Sequence, residues 1–386
     1  MSEKLIPLSV PNLKGKELEY VTTAVKTEWV STSGPYVGQF EKTIASYVNI
    51  NGAVACQNGT SGLHIALILT GVMPGEEVIV PTLTFIATVN PVKYIGAEPV
   101  FMDCDDSLCM DPVKLAEFCK KECTFDGEKL TDKATGRRVC TILVVHVFGN
   151  MADMVKILYI ANKYKLKVIE DATEAVGTYY TSGPLAGCHA GTMGDVGVYS
   201  FNGNKIITTG GGGMILSNSD VYIQIAKHLT TQAKADGLYY IHDAIGFNYR
   251  MTNLQAALGL GQIEQLEKFI EIKEQNYKLY QELLEPIQDY KILPFRQGTR
   301  SNHWFYSLAC LAGSTERDFL ISYMAEHKVQ SRPIWRLVSE QKPYADSRSY
   351  NIERAKYYWE HVINIPCSTN LTAEEVRRVV DVIARR

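Results

Sequence analysis

The sequence predicts an α/β protein with a mostly parallel central sheet that helices cover on both faces. Between residues 54 and 199, short apolar runs alternate with stretches in which apolar residues recur at helical spacing. The predicted helices are SGLHIALILTGV, TFIATVNPVKYIG and MADMVKILYIANKYK. The strand candidates are VAC near 54, EVIVP near 77, EPVFMDC near 98, TILVVH near 141 and LKVIED near 166. This alternation is typical of parallel sheets, in which the ligand lies beyond the carboxyl ends of the strands. Functional residues are therefore expected where these strands end.

The pattern changes near residue 251. A long amphipathic stretch there predicts one or two helices, followed by a shorter set of alternating elements: WFYSLACL, a helix through DFLISYMAEH, VQSRPIW and a final helix from about Thr372. We expect a large domain over residues 1–255 and a smaller C-terminal α/β domain over residues 256–386. The polar segment 119–139 predicts a surface hairpin or loop on the large domain.

The composition excludes several classes of protein. Among 386 residues, 46% are hydrophobic and 21% charged, and the formal net charge of −3 offers no basic field for nucleic acid. No uncharged apolar run is long enough to span a bilayer and the start lacks a signal-like apolar region, so we expect a cytoplasmic protein without a membrane partner. The nine cysteines are scattered, as is typical of reduced thiols. The closest group, Cys119, Cys123 and Cys140, fits no zinc spacing, and we predict no metal site.

One candidate for ligand binding is QNGTSGLHIAL at residues 57–67. The segment follows a strand and opens a helix, so free backbone N–H groups together with Gly59, Thr60 and Ser61 are suited to hold a phosphate. A capped strand–helix turn without a ligand explains the segment equally well.

Two further candidates follow other strands. In VIEDATEAVG, Asp171 stands at the carboxyl end of an apolar strand, where an Asp most often caps the next turn but where a buried one can pair with a cation such as a protonated pyridine nitrogen. In PTLTFIATVNPV, Phe85 follows a strand and a turn. Phe85 can lie flat on a ring-shaped cofactor, although an aromatic core residue is the commoner case.

The stretch SFNGNKIITTGGGG at residues 200–213 contains one lysine followed by a run of four glycines. A phosphate-binding P-loop needs its lysine after the glycines and a helix after that, whereas here the order is reversed and a strand, MILS, follows. The glycines are better explained by a tight turn beside a ligand. Lys205 is then the residue able to form a Schiff base, since a surface lysine fits poorly between buried strands. A phosphate turn, an aromatic ring, a strand-end acid, a hydroxyl and a lysine are together the groups that bind pyridoxal 5′-phosphate.

With these motifs, and with WVSTSGPYVGQFE, VVHVFGN and GFNYRMTNLQAALG, the sequence resembles the fold-type I pyridoxal-phosphate sugar aminotransferases of the DegT/DnrJ/StrS family over nearly its whole length. The resemblance implies the large and small α/β domains of that fold, pyridoxal 5′-phosphate as cofactor, and a homodimer whose subunits share their active sites. Within the family the sequence is similar to nucleotide-sugar 4-aminotransferases of the perosamine or legionaminic acid type. The 119–139 insert and the TTGGGG run favour the latter.

The implied reaction transfers the amino group of L-glutamate to the C4 keto group of a nucleotide-linked 4-keto-6-deoxyhexose for surface glycan biosynthesis. We expect the sugar to be UDP-linked and N-acetylated.

The resemblance also implies roles for particular residues. Lys205 would attach the cofactor and then move protons between cofactor and substrate carbons, and Asp171 would pair with the pyridinium nitrogen. Glu174 matches a position beside the phenolic oxygen of the cofactor, where related enzymes often have Gln or His. The remaining cofactor-binding residues hold the phosphate or stack on the ring: Gly59, Thr60, Ser61, Ser200, Phe85 and, from the neighbouring subunit, Asn248.

Residues that bind the sugar diphosphate must supply cations and hydrogen-bond donors. The candidates are Thr32, Ser33, His303 and Arg332, and each has a local structural role as its alternative. Arg250 either binds an anion nearby or holds its loop.

Three other functions are compatible with parts of the pattern. An aminotransferase acting at C3 would carry the same cofactor residues. A cysteine desulfurase-like lyase would need a mobile cysteine in an exposed Gly/Ser-rich loop, and the sequence has none in such a context. A non-catalytic cofactor-binding regulator is disfavoured because Lys205 and Asp171 are both present.

Overall fold

The computed structural model describes residues 4–386. Its α-helices are α1 Glu17–Lys26, α2 Pro35–Tyr47, α3 Gly59–Leu69, α4 Asn90–Tyr94, α5 Pro112–Lys121, α6 Met154–Tyr164, α7 Asp220–Thr230, α8 Asn253–Ile263, α9 Leu266–Leu284, α10 Ser314–Glu326, α11 Arg354–His361 and α12 Ala373–Ala384. Its strands are β1 Gly52–Cys56, β2 Glu77–Pro81, β3 Glu98–Met102, β4 Cys123–Phe125, β5 Leu130–Asp132, β6 Arg138–Val145, β7 Lys167–Asp171, β8 Tyr179–Tyr180, β9 Val196–Ser200, β10 Gly213–Ser217, β11 Lys234–Asp236, β12 Ile241–His242, β13 Tyr290–Ile292, β14 Thr299–Arg300, β15 Tyr306–Cys310, β16 Arg332–Pro333, β17 Ser349–Tyr350 and β18 Val362–Ile365.

The central sheet has the order β1-β10-β9-β7-β6-β2-β3-β17. Strand β10 is antiparallel to both of its neighbours, whereas the pairs from β9 to β17 are all parallel. The prediction of a mostly parallel sheet is confirmed. Because β10 is reversed, the chain makes a direct hairpin from β9 to β10, and Lys205 lies in that connection.

The strands of this sheet read as apolar runs because both faces are covered. All five residues of β2 are buried, as are seven of the eight residues of β6. Strands that pack helices on both sides have no solvent-facing positions, so hydrophobic residues are not restricted to alternate positions. The same burial places the sheet's carboxyl edge, rather than its faces, within reach of a ligand.

The predicted helices differ from the observed ones in one place. The segment TFIATVNPVKYIG forms only a 3-10 turn at Ile86–Thr88 and the short helix α4, because Pro91 removes a backbone donor and restricts the residue before it. The amphipathic stretch after residue 251 is two helices, α8 and α9, with the break at Glu264 and Gln265.

The insert at 119–139 contains the predicted hairpin, formed by β4 and β5. It is also part of the central sheet, because Leu130 and Thr131 of β5 pair with β6. The insert therefore extends the sheet instead of lying on it as a separate loop.

The C-terminal part of the chain forms a second, four-stranded antiparallel sheet in the order β13-β15-β18-β16. Only Arg332 and Pro333 of VQSRPIW pair in this sheet. Each of the two predicted domains also forms backbone pairs with the other. Ile6 bridges to Val329, and β17 adds to the edge of the large sheet beside β3. The division at residue 255 stays a prediction.

Two further features bear on the expectations from composition. No helix within residues 4–386 is long and apolar enough to cross a membrane. The nine cysteines carry free thiols; Cys188 is half-buried and the others are buried.

Candidate active site

A cavity of about 360 Å³ lies at the carboxyl edge of the central sheet, between that edge and the C-terminal part of the chain. It brings together most of the predicted cofactor residues. Its lining consists of Asn58, Gly59, Thr60, Leu63, Phe85, Ala87, Thr88, Asp171, Thr173, Glu174, Ser200, Asn202, Asn204, Lys205, Trp304, Phe305 and Trp335.

The first wall of this cavity is the start of α3, directly after β1. Asn58 caps the helix, because its Oδ1 accepts from the backbone N–H of Ser61 at 2.8 Å and from the Ser61 hydroxyl at 2.9 Å. Gly59 and Thr60 line the cavity, and the N–H groups in the first turn of a helix have no partner within that helix. A Cβ on Gly59 would stand 3.1 Å from the Cβ of Ser200, so glycine lets the helix approach the end of β9.

Asp171 ends β7 and is 2% exposed. Its Oδ2 accepts a hydrogen bond from the Thr88 hydroxyl at 2.7 Å, and its Oδ1 accepts from the Thr173 backbone N–H at 3.1 Å. Thr88 is itself 2.8 Å from the Thr84 hydroxyl. The carboxylate is thus held by two donors and retains lone pairs for a cationic partner in the cavity.

Lys205 and Glu174 face each other across the same space. The Lys205 Nζ is 3.4 Å from the Oε1 of Glu174 and 4.0 Å from the centre of the Trp304 ring. The other carboxyl oxygen of Glu174 accepts from the Phe148 backbone N–H at 2.8 Å. Burial raises the pKa of Glu174 to about 7, although the Lys205 charge acts in the opposite direction.

Aromatic side chains form a further part of the cavity lining. Phe85 is 52% exposed and lies 6.2 Å, centre to centre, from Trp335. Trp304 and Phe305 complete this part of the lining. The predicted Phe85 therefore belongs to a larger aromatic surface in which flat rings and apolar sugar faces can be held.

Thr88, Asn58 and both tryptophans were not among the predicted site residues. In the segments SNHWFYS and SRPIW, the predicted substrate-binding residues are His303 and Arg332. The residues that line the cavity are instead their neighbours, Trp304 and Trp335. The signal that could have found them is the rarity of Trp, of which the chain has only 4. No sequence pattern indicated that the Thr88 hydroxyl would reach Asp171.

The structure does not place several predicted residues in the cavity. Thr32 is half-buried and Ser33 and Arg332 are exposed, each outside the lining. The Ser61 hydroxyl is engaged by the Asn58 cap. His303 is buried against the Phe295 ring at 4.5 Å, and burial lowers its pKa to about 4.

The two predicted residues of GFNYRM lie beside the cavity. Arg250 forms an antiparallel backbone bridge with Cys56, next to the α3 turn, which fits a role in holding its loop. Asn248 bridges to Thr231 and is exposed. Their predicted contacts with anions, and the contact of Asn248 with a second subunit, remain predictions.

The residues present fit pyridoxal 5′-phosphate. A lysine amine, a buried carboxylate held by two donors, a helix N-terminus next to a serine hydroxyl, and an exposed aromatic ring converge on one cavity. These are the groups that bind the aldehyde, the ring nitrogen, the phosphate and the ring face of this cofactor. Fold and site together define a pyridoxal-phosphate enzyme of the α/β class.

Comparison with known proteins places the chain more narrowly. The sequence profile of the DegT/DnrJ/EryC1/StrS aminotransferase family matches residues 11–384, and the chain belongs to this family. A GDP-perosamine synthase of Caulobacter vibrioides is 36% identical over 377 residues, covering 97% of this chain and 96% of the relative. The putative pyridoxal phosphate-dependent aminotransferase EpsN of Bacillus subtilis is 33% identical over 385 residues, covering 98% of this chain and 95% of the relative.

Solved structures agree with this membership. The crystal structure of a DegT DnrJ EryC1 StrS aminotransferase from Brucella abortus matches with a TM-score of 0.86 at 26% identity, covering 96% of this chain and 95% of that one. The protein is a pyridoxal-phosphate-dependent nucleotide-sugar aminotransferase. The predicted fold type, cofactor and enzyme class are confirmed.

Proposed function

We propose that the protein transfers the amino group of L-glutamate to the C4 keto group of a nucleotide-linked 4-keto-6-deoxyhexose. The observation that carries the proposal is the convergence of Lys205, Asp171 and Glu174 on one cavity. Relatives named GDP-perosamine synthase, with 36% and 35% identity over nearly the whole chain, support amination at C4.

The cofactor, when bound, supplies an electron sink that stabilises negative charge on the substrate carbon. The chain supplies the proton chemistry and the orientation. Asp171 holds the proton on the ring nitrogen, because a buried carboxylate favours a cationic partner. The Lys205 amine moves a proton to and from the substrate carbon, and Glu174 lies within 3.4 Å of that amine.

The nucleotide is the least constrained part of the substrate. We predicted a UDP-linked, N-acetylated sugar, whereas the names of the two relatives just cited refer to GDP. Both nucleotides therefore belong in the test. Among the cavity-lining residues in the described chain, Lys205 is the only Lys or Arg.

We propose that a second copy of the chain completes the site, as a homodimer. Leu238, Tyr239, Tyr240 and Ile245 are between 72% and 89% exposed, and all lie in one segment, residues 234–245, which we call the exposed hairpin. A soluble monomer rarely leaves an apolar patch of this kind uncovered. The hairpin leads directly into the exposed Asn248, which is predicted to reach the neighbouring subunit.

The test is a panel of GDP-, UDP- and dTDP-linked 4-keto-6-deoxyhexoses, each incubated with L-glutamate and the loaded enzyme. We expect formation of 2-oxoglutarate and loss of the keto sugar with at least one member, and NMR of the product should show nitrogen at C4. Nitrogen at C3, or no turnover with any member, would overturn the proposal.

The Lys205→Ala variant should lose this turnover by several orders of magnitude, because no other group in the cavity combines a Schiff-base-forming amine with the proton transfer. Lys227→Ala is the matched control, since Lys227 pairs with Glu41 at 2.6 Å on the surface, and it should retain full activity. Equal activity of the two variants would refute the role of Lys205.

A further inference from the structure

A short segment of the C-terminal part, residues 301–304, packs directly onto the active site. The Ser301 hydroxyl donates to the Gly149 carbonyl at 2.8 Å, and the Asn302 amide donates to the Glu174 carbonyl at 2.9 Å. The bond from the Asn302 side chain holds the backbone that carries the Glu174 carboxyl. A contact with Lys205 from the same segment would therefore set the geometry of the two groups relative to each other.

Trp304 contacts Lys205 and also the residue that precedes it. Its indole N–H donates to the backbone carbonyl of Asn204 at 2.8 Å, one residue before Lys205. Its ring centre is 4.0 Å from the Lys205 Nζ. The ring is 2% exposed, and its own backbone N–H donates to the Asn302 side chain at 3.0 Å.

We propose that Trp304 is a positioning residue for Lys205: the indole face receives the lysine ammonium while Lys205 is not attached to the cofactor, and the indole N–H fixes the backbone beside it. The proposal rests on the function proposed for Lys205. An ammonium over a buried indole face is attracted by the negative charge density of the ring, and Trp is the aromatic residue that does this best.

The backbone around Lys205 explains why such a contact is needed. The connection from β9 to β10 contains Gly203 and Gly210, and Gly210 has a φ of +76°. Glycines leave a loop many accessible conformations, so holding one of them is entropically costly. The indole N–H selects one conformation at Asn204, which places the lysine amine where a proton transfer requires it.

Two titratable groups share this environment with the Lys205 amine. Glu174 is 3.4 Å away, and Asp171 lines the same cavity. Both favour an ammonium, so the contribution of Trp304 has to be measured with both carboxylates intact. Substitution of Trp304 alone meets this condition.

The experiment uses the full-length chain freed of cofactor. Lys205 is acetylated with acetic anhydride across a pH series, and its modification is followed by peptide mass spectrometry. Because loss of the ring removes stabilisation of the ammonium, we expect Trp304→Leu to react at lower pH, with the midpoint moved by about half a unit or more. Trp304→Phe keeps a ring face but lacks the N–H donor, and its midpoint should fall between that of Trp304→Leu and the wild type.

Kinetics of the loaded enzyme supply the second measurement. The single-turnover rate with L-glutamate should fall about tenfold in Trp304→Leu with little change in KM, because orientation of the amine and not substrate binding is lost. Trp304→Phe should again be intermediate. Trp359→Phe is the control, since Trp359 packs against Arg317 and Arg336 away from the cavity, and it should match the wild type.

A wild-type acetylation profile in Trp304→Leu, or identical behaviour of the Leu and Phe variants, would overturn the role of the ring. Thermal unfolding of each variant establishes that it is folded, and the Phe variant keeps the test open if the Leu variant unfolds. The acetylation measurement needs no sugar substrate. A failure of the proposed function in the substrate panel is thereby distinguishable from a failure of this inference.

Discussion

The surroundings of Glu174 disfavour the charged form of its carboxyl group. Its side chain is 4% exposed, and one of its oxygens already accepts from the Phe148 backbone. Burial raises the pKa from its ordinary value of 4.5 to about 7 even with Lys205 nearby. The folded protein therefore binds a proton at Glu174 over a pH range in which the unfolded chain has released it.

Glu174→Gln is expected to remove a pH-dependent contribution to stability. Because the folded-state pKa is raised, the contribution is complete below about pH 4.5, declines as the pH rises and is lost above about pH 7. The free energy of unfolding of the wild type relative to the variant should fall on the order of 2–3 kcal/mol across this window. Urea unfolding of the cofactor-free protein at several pH values measures it.

Glu267 provides the opposite case as a control. Burial raises the pKa of Glu267, but hydrogen bonds from Arg300 and Tyr47 outweigh this effect and the net pKa is lowered. Its contribution is present above the ordinary pKa and is lost as the pH falls. Relative to Glu267→Gln, the wild type should therefore gain stability with rising pH. The same slope for both variants would contradict the assignment of these environments.

Thr88 donates a hydrogen bond to Asp171, the residue that is predicted to pair with the cofactor's ring nitrogen. We expect Thr88→Val, which preserves the side-chain shape, to weaken cofactor binding about fivefold or more, since one donor to the Asp171 carboxylate is lost. Equilibrium dialysis with pyridoxal 5′-phosphate measures the affinity. Thr43→Val removes a hydroxyl that bonds only to the Gln39 carbonyl on an exposed helix face, and it should leave the affinity unchanged. Equal affinities of the two variants would show that the Thr88 hydroxyl does not support Asp171.

At the scale of elements, the glycine run before β10 is not uniform in its requirements. Gly210 needs its positive φ of +76°, and a Cβ on Gly213 would stand 2.7 Å from the backbone of Asn58. A Cβ on Gly211 would meet nothing nearer than the Gln255 side chain at 3.9 Å. A Cβ on Gly212 would clash with the Thr209 hydroxyl and the Met251 methyl group. Three of the four glycines are thus constrained by geometry, and Gly211 is not.

Gly213→Ala should therefore destabilise the protein by about 1–3 kcal/mol, because the new methyl group meets backbone that cannot move without opening the α3 turn. Gly211→Ala should stay within about 0.5 kcal/mol of the wild type. The denaturant midpoints of the two variants measure this difference in stability. A larger loss of stability in Gly211→Ala than in Gly213→Ala would contradict the close approach of β10 to the α3 turn.

At the scale of the whole molecule, the exposed hairpin presents large apolar or aromatic side chains that the single chain does not cover. We expect Leu238→Asp combined with Ile245→Asp to shift the protein from dimer to monomer in light scattering, because a charge in an apolar interface is costly to bury. Activity should fall with the loss of the dimer if subunits share their sites.

The control is Tyr159→Asp on α6, which is 71% exposed on a different surface and should remain dimeric. A wild-type protein that is already monomeric at micromolar concentration would refute the dimer.

Features that depend on residues close together in the chain could be predicted from the sequence. The β-strands between residues 54 and 199, the reversed order of Lys205 and the glycines, and the strand-end position of Asp171 all follow from residue spacing along the chain. Burial on both faces of a sheet and the geometry of a strand end leave a pattern within a few residues. The wrong expectation of a helix at 84–96 came from apolar spacing that Pro91 overrides.

The sequence by itself thus determined the class of fold and the cofactor, and it predicts Lys205 as the catalytic lysine. Only the tertiary structure decided which residues surround that lysine. Trp304 reaches Lys205 from 99 positions away, and Thr88 reaches Asp171 from 83 positions away. Such contacts depend on how β2, β7 and the C-terminal part pack together, and no periodicity along the chain encodes them. Tertiary structure also decided the different places of two adjacent residues. Trp304 lines the cavity, whereas the backbone turn at His303, with a φ of +54°, directs the His303 side chain into the core.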